Sequence, residues 1–536
     1  MSTAKTLAKG TAWGLIGSFL LRFVGFFYCI ILARLFSQEE IGIFFLVLSI
    51  INIVALFSNL GLGLGAVLRY VPFYVGEEKF NHVRGVLKIS LTAGTIFSLI
   101  CMVFVILFSG DLSNMFHEQK LVPIFHIMAF YLLIYNFYSI ALGFLVGRKL
   151  IKLSSYLQGF QVFAKLILTI LLLFIIGFVA KSIALGFLLS FAFAMIFGGY
   201  WAIREYKRLP KSDELVNNYT LLRDMVPFGL TMVFLSSLSL INAEFDRIML
   251  GYFLPENNTL MIGVYTIAVS FSSLILIFTY AIAGVFYPII TEFLAKKNIS
   301  DISDTSLIFI RWVALSTVPV LLIMLIFPKN ILSVIYGEKY VGGYLVLMLY
   351  SLGLFIYSFS FPIQNILSGM KRLDVTLKIM GFGALVNIIS NLILIPRYGI
   401  NGAAFASAIS YSLMAVLFFY KRRITRLKIP RDIYKPMVAG IVTVFPLIFV
   451  KPFVGEFLAL VPIIVTPTDV VTEIIGKFLK VSILGILASI VGAVYLAFLI
   501  LFRAFVKEDV EIISGAMRRF NMSEKLITWV EGILLR

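Results

Sequence analysis

Residues 83–108 read VRGVLKISLTAGTIFSLICMVFVILF. After Lys88 no charge appears before Phe108, and about 20 apolar residues are what a helix needs to cross the hydrocarbon core of a bilayer. Residues 182–203 and 308–327 are further runs of this kind. Of 536 residues, 61% are hydrophobic and 13% charged, too little charge to cover the surface of a soluble chain of this length. The short alternating segments of a membrane barrel are absent. Cys29 and Cys101 lie inside apolar runs and read as small buried hydrophobes, with no disulfide framework or zinc spacing. The opening MSTAKTLAKGTAWG places two lysines before a full-length span and shows no small-residue cleavage site, so a retained first helix is expected rather than a signal peptide.

Hydropathy places helices near 12–33, 41–66, 83–108, 121–146, 154–178 and 182–203. After a polar linker at 204–225, a second set falls near 226–250, 261–290, 307–327, 341–367, 374–395 and 399–420. Two more spans fit near 434–451 and 477–503, within a segment 421–506 that opens on the basic run KRRITRLKIPR. The tail at 507–536 mixes charges with Ile, Leu, Phe and Trp and reads as an amphipathic helix on the cytoplasmic face. The expected fold is therefore all-α, with about 14 transmembrane helices. The net charge of +18 does not point to nucleic acid, because the basic residues are dispersed among short loops. With the N-terminus inside, about 31 of the 45 Lys and Arg fall in cytoplasmic segments and about 10 in outer loops. That asymmetry predicts a multi-pass plasma-membrane protein with both termini cytoplasmic.

The two sets of six resemble each other. Ile41-Gly42-Ile43-Phe44 opens a long helix ending near Pro72, and Ile262-Gly263-Val264-Tyr265 opens another ending near Pro288. Gly147-Arg148-Lys149 and Gly369-Met370-Lys371-Arg372 open matching inner loops. The offset stays near 220 residues, the mark of an internal duplication. Six is even, so both copies sit the same way up. Two six-helix lobes, 1–203 and 226–420, are expected to be related by a pseudo-twofold axis along the membrane normal. A central cleft between them would open to each side in turn.

A charge at mid-bilayer costs about 2.5–3.5 kcal/mol on insertion scales, so each needs a reason. Arg22 and Lys165 lie mid-span and are read as cations lining the cleft. Arg69 and Arg311 lie nearer the inner edge, where lining and snorkelling compete. Glu244, Asp246 and Arg247 cluster on predicted helix 7; Asp246 and Arg247 are adjacent and must face different ways. Either acid could pair with a base or bind a coupling Na⁺ or H⁺. Asn52, Gln161, Gln364, Asn387 and Asn391 are neutral polar residues within spans, suited to interhelical hydrogen bonds or to contact with a polar passenger. His82, His117 and His126 are scattered and form no metal constellation.

No phosphate-binding loop occurs, and no carboxylate pair or nucleophile–base set is recognisable, so no cofactor and no catalysis are expected. A duplicated single chain suits a carrier better than a channel.

Several stretches resemble the polysaccharide transporter (Wzx-type oligosaccharide flippase) family of the multidrug/oligosaccharidyl-lipid/polysaccharide exporter superfamily. They are Ala33-Arg34-Leu35, Glu40-Ile41-Gly42, the glycine-rich Asn59 to Gly65, Asp246-Arg247-Ile248-Met249-Leu250-Gly251 and Tyr398-Gly399-Ile400-Asn401-Gly402-Ala403-Ala404. The matches run through both repeats; the last two spans match only in hydropathy. The resemblance implies a two-lobed, V-shaped fold and export of a polyprenyl-linked oligosaccharide from the inner to the outer leaflet. Membrane lipids, and glycosyltransferases or a polymerase or ligase of the same pathway, are the implied partners. Arg22 and Lys165 match, by position and charge, the cleft cations that such proteins use to hold a diphosphate. The alternative within the superfamily is a cation-coupled multidrug extruder, whose cleft should be acidic or apolar.

Overall fold

The computed structural model describes residues 23–210, 216–254, 257–296, 299–425, 433–464, 470–519 and 522–534. Among them there is no strand, and the chain is all-α. The first helices are α1 (Phe23–Leu35), α2 (Gln38–Ser58), α3 (Leu68–Gly76), α4 (Phe80–Leu107) and α5 (Ser109–Met115). Next come α6 (Leu121–Gly147), α7 (Ile151–Ile176), α8 (Ala180–Lys207), α9 (Asn218–Phe253), α10 (Asn258–Ser272) and α11 (Ile275–Ala295). Then follow α12 (Ile299–Ile326), α13 (Pro328–Ile331), α14 (Tyr344–Ser358), α15 (Phe361–Gly369), α16 (Leu373–Tyr420) and α17 (Arg422–Thr425). The chain closes with α18 (Tyr434–Ile464), α19 (Val470–Leu501), α20 (Lys507–Arg519) and α21 (Glu524–Leu534).

Among the described residues, 12 helices are long and apolar enough to cross a membrane. One of them, α16, has 48 residues and is broken at Gly399 (φ 55°, ψ −132°), so it carries two of the expected spans. A Cβ on nearby Gly402 would lie 2.2 Å from the Leu394 carbonyl oxygen, so both glycines serve a tight turn between two helices. The short apolar α1 occupies the described part of expected helix 1. With it the count returns to about 14.

Three expected helices are divided. Helix 2 stops at Ser58, turns through Leu60 (φ 49°) and Gly61 (φ 67°), passes a π-helical turn at Leu62–Val67 and resumes as α3. Helix 8 splits into α10 and α11, and helix 10 into α14 and α15. Pro72 and Pro288, expected near helix ends, lie inside α3 and α11, which run on to Gly76 and Ala295. Prolines are tolerated in membrane helices because neighbouring groups satisfy the freed carbonyls. The tail, expected as one amphipathic helix, carries two, α20 and α21.

By compactness the chain forms two units, Met1–Ile267 with Ala384–Ala406 and Ala268–Gly383 with Ser407–Arg536. In the first, α6 is central: 67% of its membrane window is buried, against 17% for α7. A helix hidden on most sides needs no polar face, which is why α6 reads as apolar all round. Leu62, Val67, Val71, Val86, Phe144 and Met225 form one core there, and Leu145, Leu157 and Ala194 belong to a second. In the second unit, Phe286 meets Phe309 with ring centroids 4.7 Å apart, and Gly353 lies against the backbone of Ala408.

The first unit also carries a reciprocal contact. A Cβ on Gly42 would fall 1.7 Å from the Thr259 carbonyl oxygen, and one on Gly263 would fall 2.0 Å from that of Gln38. Replacing each member of the first contact by its counterpart 221 residues away in the other repeat (42 by 263, 259 by 38) generates the second. In a twofold relation residue i meets j while j meets i. The starts of α2 and α10 therefore cross about a local twofold axis, and each repeat keeps glycine where the backbones touch.

Candidate functional site

A polar cavity of about 370 Å³ opens within the first unit where α2, α6 and α9 meet. Its polar wall consists of Asn52, Asn59, Tyr131, Tyr135, Ser139 and Ser236. The glycine-rich end of α2 shapes it. Asn59 Oδ1 accepts a hydrogen bond from the Gly61 amide at 2.9 Å, and the left-handed Gly61 packs against the Gly229 carbonyl, leaving only 2.2 Å for a Cβ. Gly63 meets the Ser139 hydroxyl in the same way. The glycines let α6 and α9 approach the turn, and the Asn, Ser and Tyr side chains give the cavity its polarity.

Next to this cavity α9 carries two polar networks. Glu244 accepts hydrogen bonds from Ser49 Oγ at 2.7 Å and Asn52 Nδ2 at 3.2 Å, and forms an ion pair with Arg247 one helical turn on. Arg247 also donates through Nε to Thr266 Oγ1 at 3.1 Å. Asn52 thus joins the cavity wall to the ion pair. Asp246, 1% exposed, faces elsewhere, as its adjacency to Arg247 requires. It accepts hydrogen bonds from the Tyr265 hydroxyl, from Asn391 Nδ2 at 2.6 Å and from Asn387 Nδ2 at 3.3 Å. A buried carboxylate is tolerated only with such donors. Asn391 Nδ2 also reaches Asn387 Oδ1 at 3.1 Å, while Asn391 Oδ1 is buried with no hydrogen-bond partner.

The four basic residues singled out by sequence have different surroundings. Arg22 lies outside the described residues. Lys165 Nζ sits 4.3 Å from the centroid of the Tyr28 ring, whose hydroxyl is 3.2 Å from Thr169 Oγ1. No carboxylate lies within ion-pair distance of Lys165 among the described residues. Arg69 stacks its guanidinium 4.2 Å over Phe228. Arg311 is buried in the second unit and held by Asp509 of α20, with Nε 2.9 Å from Oδ2. Trp312 Nε1 donates to Asp509 Oδ1 at 3.0 Å, and the Val506 amide to Oδ2 at 3.2 Å. Burial pushes the Asp509 carboxyl above the usual carboxylate range, and these donors together with the Arg311 charge oppose that shift without cancelling it. The charge of Arg311 is thus taken up by the tail, where sequence reading had expected a lining cation or a snorkelling one. Gln161 donates to Ser190 Oγ at 3.1 Å between α7 and α8, whereas Gln364 stays local, donating to Ser360 Oγ at 2.7 Å.

Sequence reading missed Asn59, Tyr131, Tyr135, Ser139 and Ser236. A signal existed: in YLLIYNFY the tyrosines at 131, 135 and 138 recur at helical spacing, and in the structure they pack with Phe187 and Phe191. Among the described residues no cluster of His, Cys, Asp or Glu is arranged to hold a metal ion.

The profile of the polysaccharide biosynthesis protein family matches residues 7–294, and that of the MatE family matches 227–393. "Uncharacterized membrane protein MJ1068" of Methanocaldococcus jannaschii is 22% identical over 470 residues, covering 85% of this chain and 92% of that protein. "Probable low-salt glycan biosynthesis flippase Agl15" of Haloferax volcanii is 24% identical over 172 residues, 32% of this chain and 36% of its own. Among solved structures, the lipid II flippase MurJ in an inward closed conformation superposes with a TM-score of 0.68 at 18% identity, covering 91% of this chain and 98% of that one. With more than half its length matched, the chain belongs to the polysaccharide biosynthesis protein family, and it is a multi-pass membrane protein whose fold is that of the MOP-superfamily structures.

Proposed function

We propose that this protein moves a lipid-linked oligosaccharide, carried on a polyprenyl phosphate or diphosphate, from the inner to the outer leaflet of the plasma membrane by alternating access. The observation that carries the reading is Lys165, a cation within a span whose described neighbours include an aromatic face and no counter-charge. An ammonium held this way is available to an anion. At about 4 Å and an effective dielectric near 20, a phosphate charge gains about 4 kcal/mol from it. Polar sugars need a wet route through hydrocarbon, since each bare polar group there costs several kcal/mol. The six-helix repeats, residues 1–203 and 226–420, would rock to open that route to one side and then the other, while the prenyl tail stays in lipid. The names of Agl15 and MurJ support the flippase class. Glycosyltransferases or a polymerase of the same pathway would act before and after this step.

Outward movement of a negative charge down an inside-negative potential gains about 2.3 kcal/mol per charge per 100 mV. If an ion also couples, the carboxylates of α9 are the candidates, and Asp246 has the buried, unbonded Asn391 Oδ1 beside it. Hard cations and protons take such oxygen ligands.

Charge reversal at Lys165 and at Arg22, separately, in cells that depend on this protein for surface glycan tests the reading. Each variant should reach the membrane at normal level and lose glycan export. Normal export with both reversals removes these residues from the mechanism, and drug resistance without any glycan phenotype would move the protein to the extruder class.

A further inference from the structure

The first unit holds a second, larger crevice, distinct from the polar cavity, between α4, α6 and α8. Its volume of about 980 Å³ lies at the top of the roughly 300–1,000 Å³ range of ligand clefts. Along most of its length the walls are apolar, with Leu91, Phe137, Ile140, Met195 and Ile203 among them. At the end where α4 begins and α8 finishes, the lining changes to Asn81, Arg84, Lys88 and Asn218. Arg84 and Lys88 are four residues apart, so they project from one face of α4. Arg84 is fixed by donating to Asn81 Oδ1 and to the Leu209 carbonyl, both at 2.9 Å, and neither bond neutralises its charge. Lys88 is exposed, and no acidic side chain lines the crevice.

A long apolar channel with two cations at one end, Arg84 held in place and Lys88 exposed, complements an amphiphile with a hydrocarbon chain and an anionic head. We propose that this crevice binds one anionic phospholipid of the surrounding bilayer, with its phosphate between Arg84 and Lys88 and an acyl chain lying along α8. Hydrocarbon alone cannot select this ligand, since lipid tails are as apolar as the walls. Selection rests on the two cations, each favouring an anionic headgroup by roughly fivefold. The floor of the channel is kept open by Gly199, where a Cβ would meet nothing within 4 Å. Gly85, on α4, is different: a Cβ there would lie 2.9 Å from a Leu221 methyl, so that glycine serves packing. This site is independent of the transport reading and does not require it.

The test uses full-length protein, delipidated in detergent and titrated with equal amounts of dioleoyl phosphatidylglycerol and dioleoyl phosphatidylcholine. Native mass spectrometry reads the retained lipid. Wild type should keep one phosphatidylglycerol with a preference of roughly 20-fold or more over phosphatidylcholine. Lys88→Gln should reduce that preference about fivefold. Gly199→Phe, at a position where a Cβ meets nothing within 4 Å, puts a ring into the channel and should abolish the tight adduct. Gly159→Phe, also in open space but on α7, should behave as wild type. Equal retention of both lipids, or an unchanged adduct in Gly199→Phe, overturns the proposal. So does displacement of phosphatidylglycerol by equimolar undecaprenyl phosphate, which would assign the crevice to a polyprenyl carrier instead.

Discussion

Arg311 and Lys165 look alike in the sequence, each a single cation inside an apolar run, yet the two units of the molecule treat them differently. Arg311 is closed off by Asp509, a residue 198 positions away in the tail, with Trp312 and the Val506 amide completing the carboxylate's hydrogen bonds. Lys165 rests on the π face of Tyr28 and has no acid beside it among the described residues. The first arrangement fixes structure: a buried charge paired with a buried carboxylate ties α20 to α12. The second leaves charge to spare. A cation in a membrane thus becomes a functional candidate only after the whole chain has been searched for its partner.

The sharpest way to break this comparison is to remove the partner. Asp509→Ala leaves Arg311 buried and uncompensated, which costs about 3–5 kcal/mol. A clear fall in the unfolding midpoint of the detergent-solubilised protein is expected. The double change Arg311→Met with Asp509→Leu should recover most of it, because an apolar pair of similar volume often replaces a buried ion pair at little cost. If Asp509→Ala unfolds like wild type, Arg311 is not held by the tail in solution. A smaller stability effect is expected at the other cation. Lys165→Met should lose about 0.5–2 kcal/mol with the cation–π contact, while glycan export fails; Lys165→Arg, which keeps the charge, should retain part of the export. Equal export in the Met and Arg variants would show that the charge is not used.

Much of this fold was legible because hydropathy is a local property, and apolar runs announce spans wherever their partners lie. The duplication was legible too, from landmarks such as Gly42 and Gly263, and the structure supplies its reason in the reciprocal backbone contacts those glycines permit. The breaks were harder. Asn59-Leu60-Gly61 interrupts helix 2, but two of the residues beyond the turn are leucines, so the segment reads as continuous hydrocarbon. The site was legible only in part. Adjacency along α9 correctly separates Asp246 from Arg247, and the Glu244–Arg247 pair follows from their spacing of three. The partners of Asp246, Asn387 and Asn391, lie more than 140 residues away, and nothing in local pattern connects them. The tyrosines of the polar cavity were hidden for another reason: a Tyr within an apolar run reads as one more aromatic of the span, although it also carries a hydroxyl.

The smallest expected effect concerns Arg69, which sits between the two extremes. Like Lys165 it stacks on an aromatic ring, with its guanidinium 4.2 Å over Phe228 and 5.5 Å from the Tyr70 ring. Unlike Lys165 it is exposed, so water or a headgroup screens it. An exposed cation–π contact contributes about 0.5–1 kcal/mol, and Arg69→Gln should lower stability by no more than that. Phe228→Leu should remove the same increment, and the double variant should show no further loss from the contact, since neither member can then engage the other. A coupling measured by this cycle that exceeds about 1 kcal/mol would mean that Arg69 is desolvated, and would place it with Lys165 among the cations held away from water.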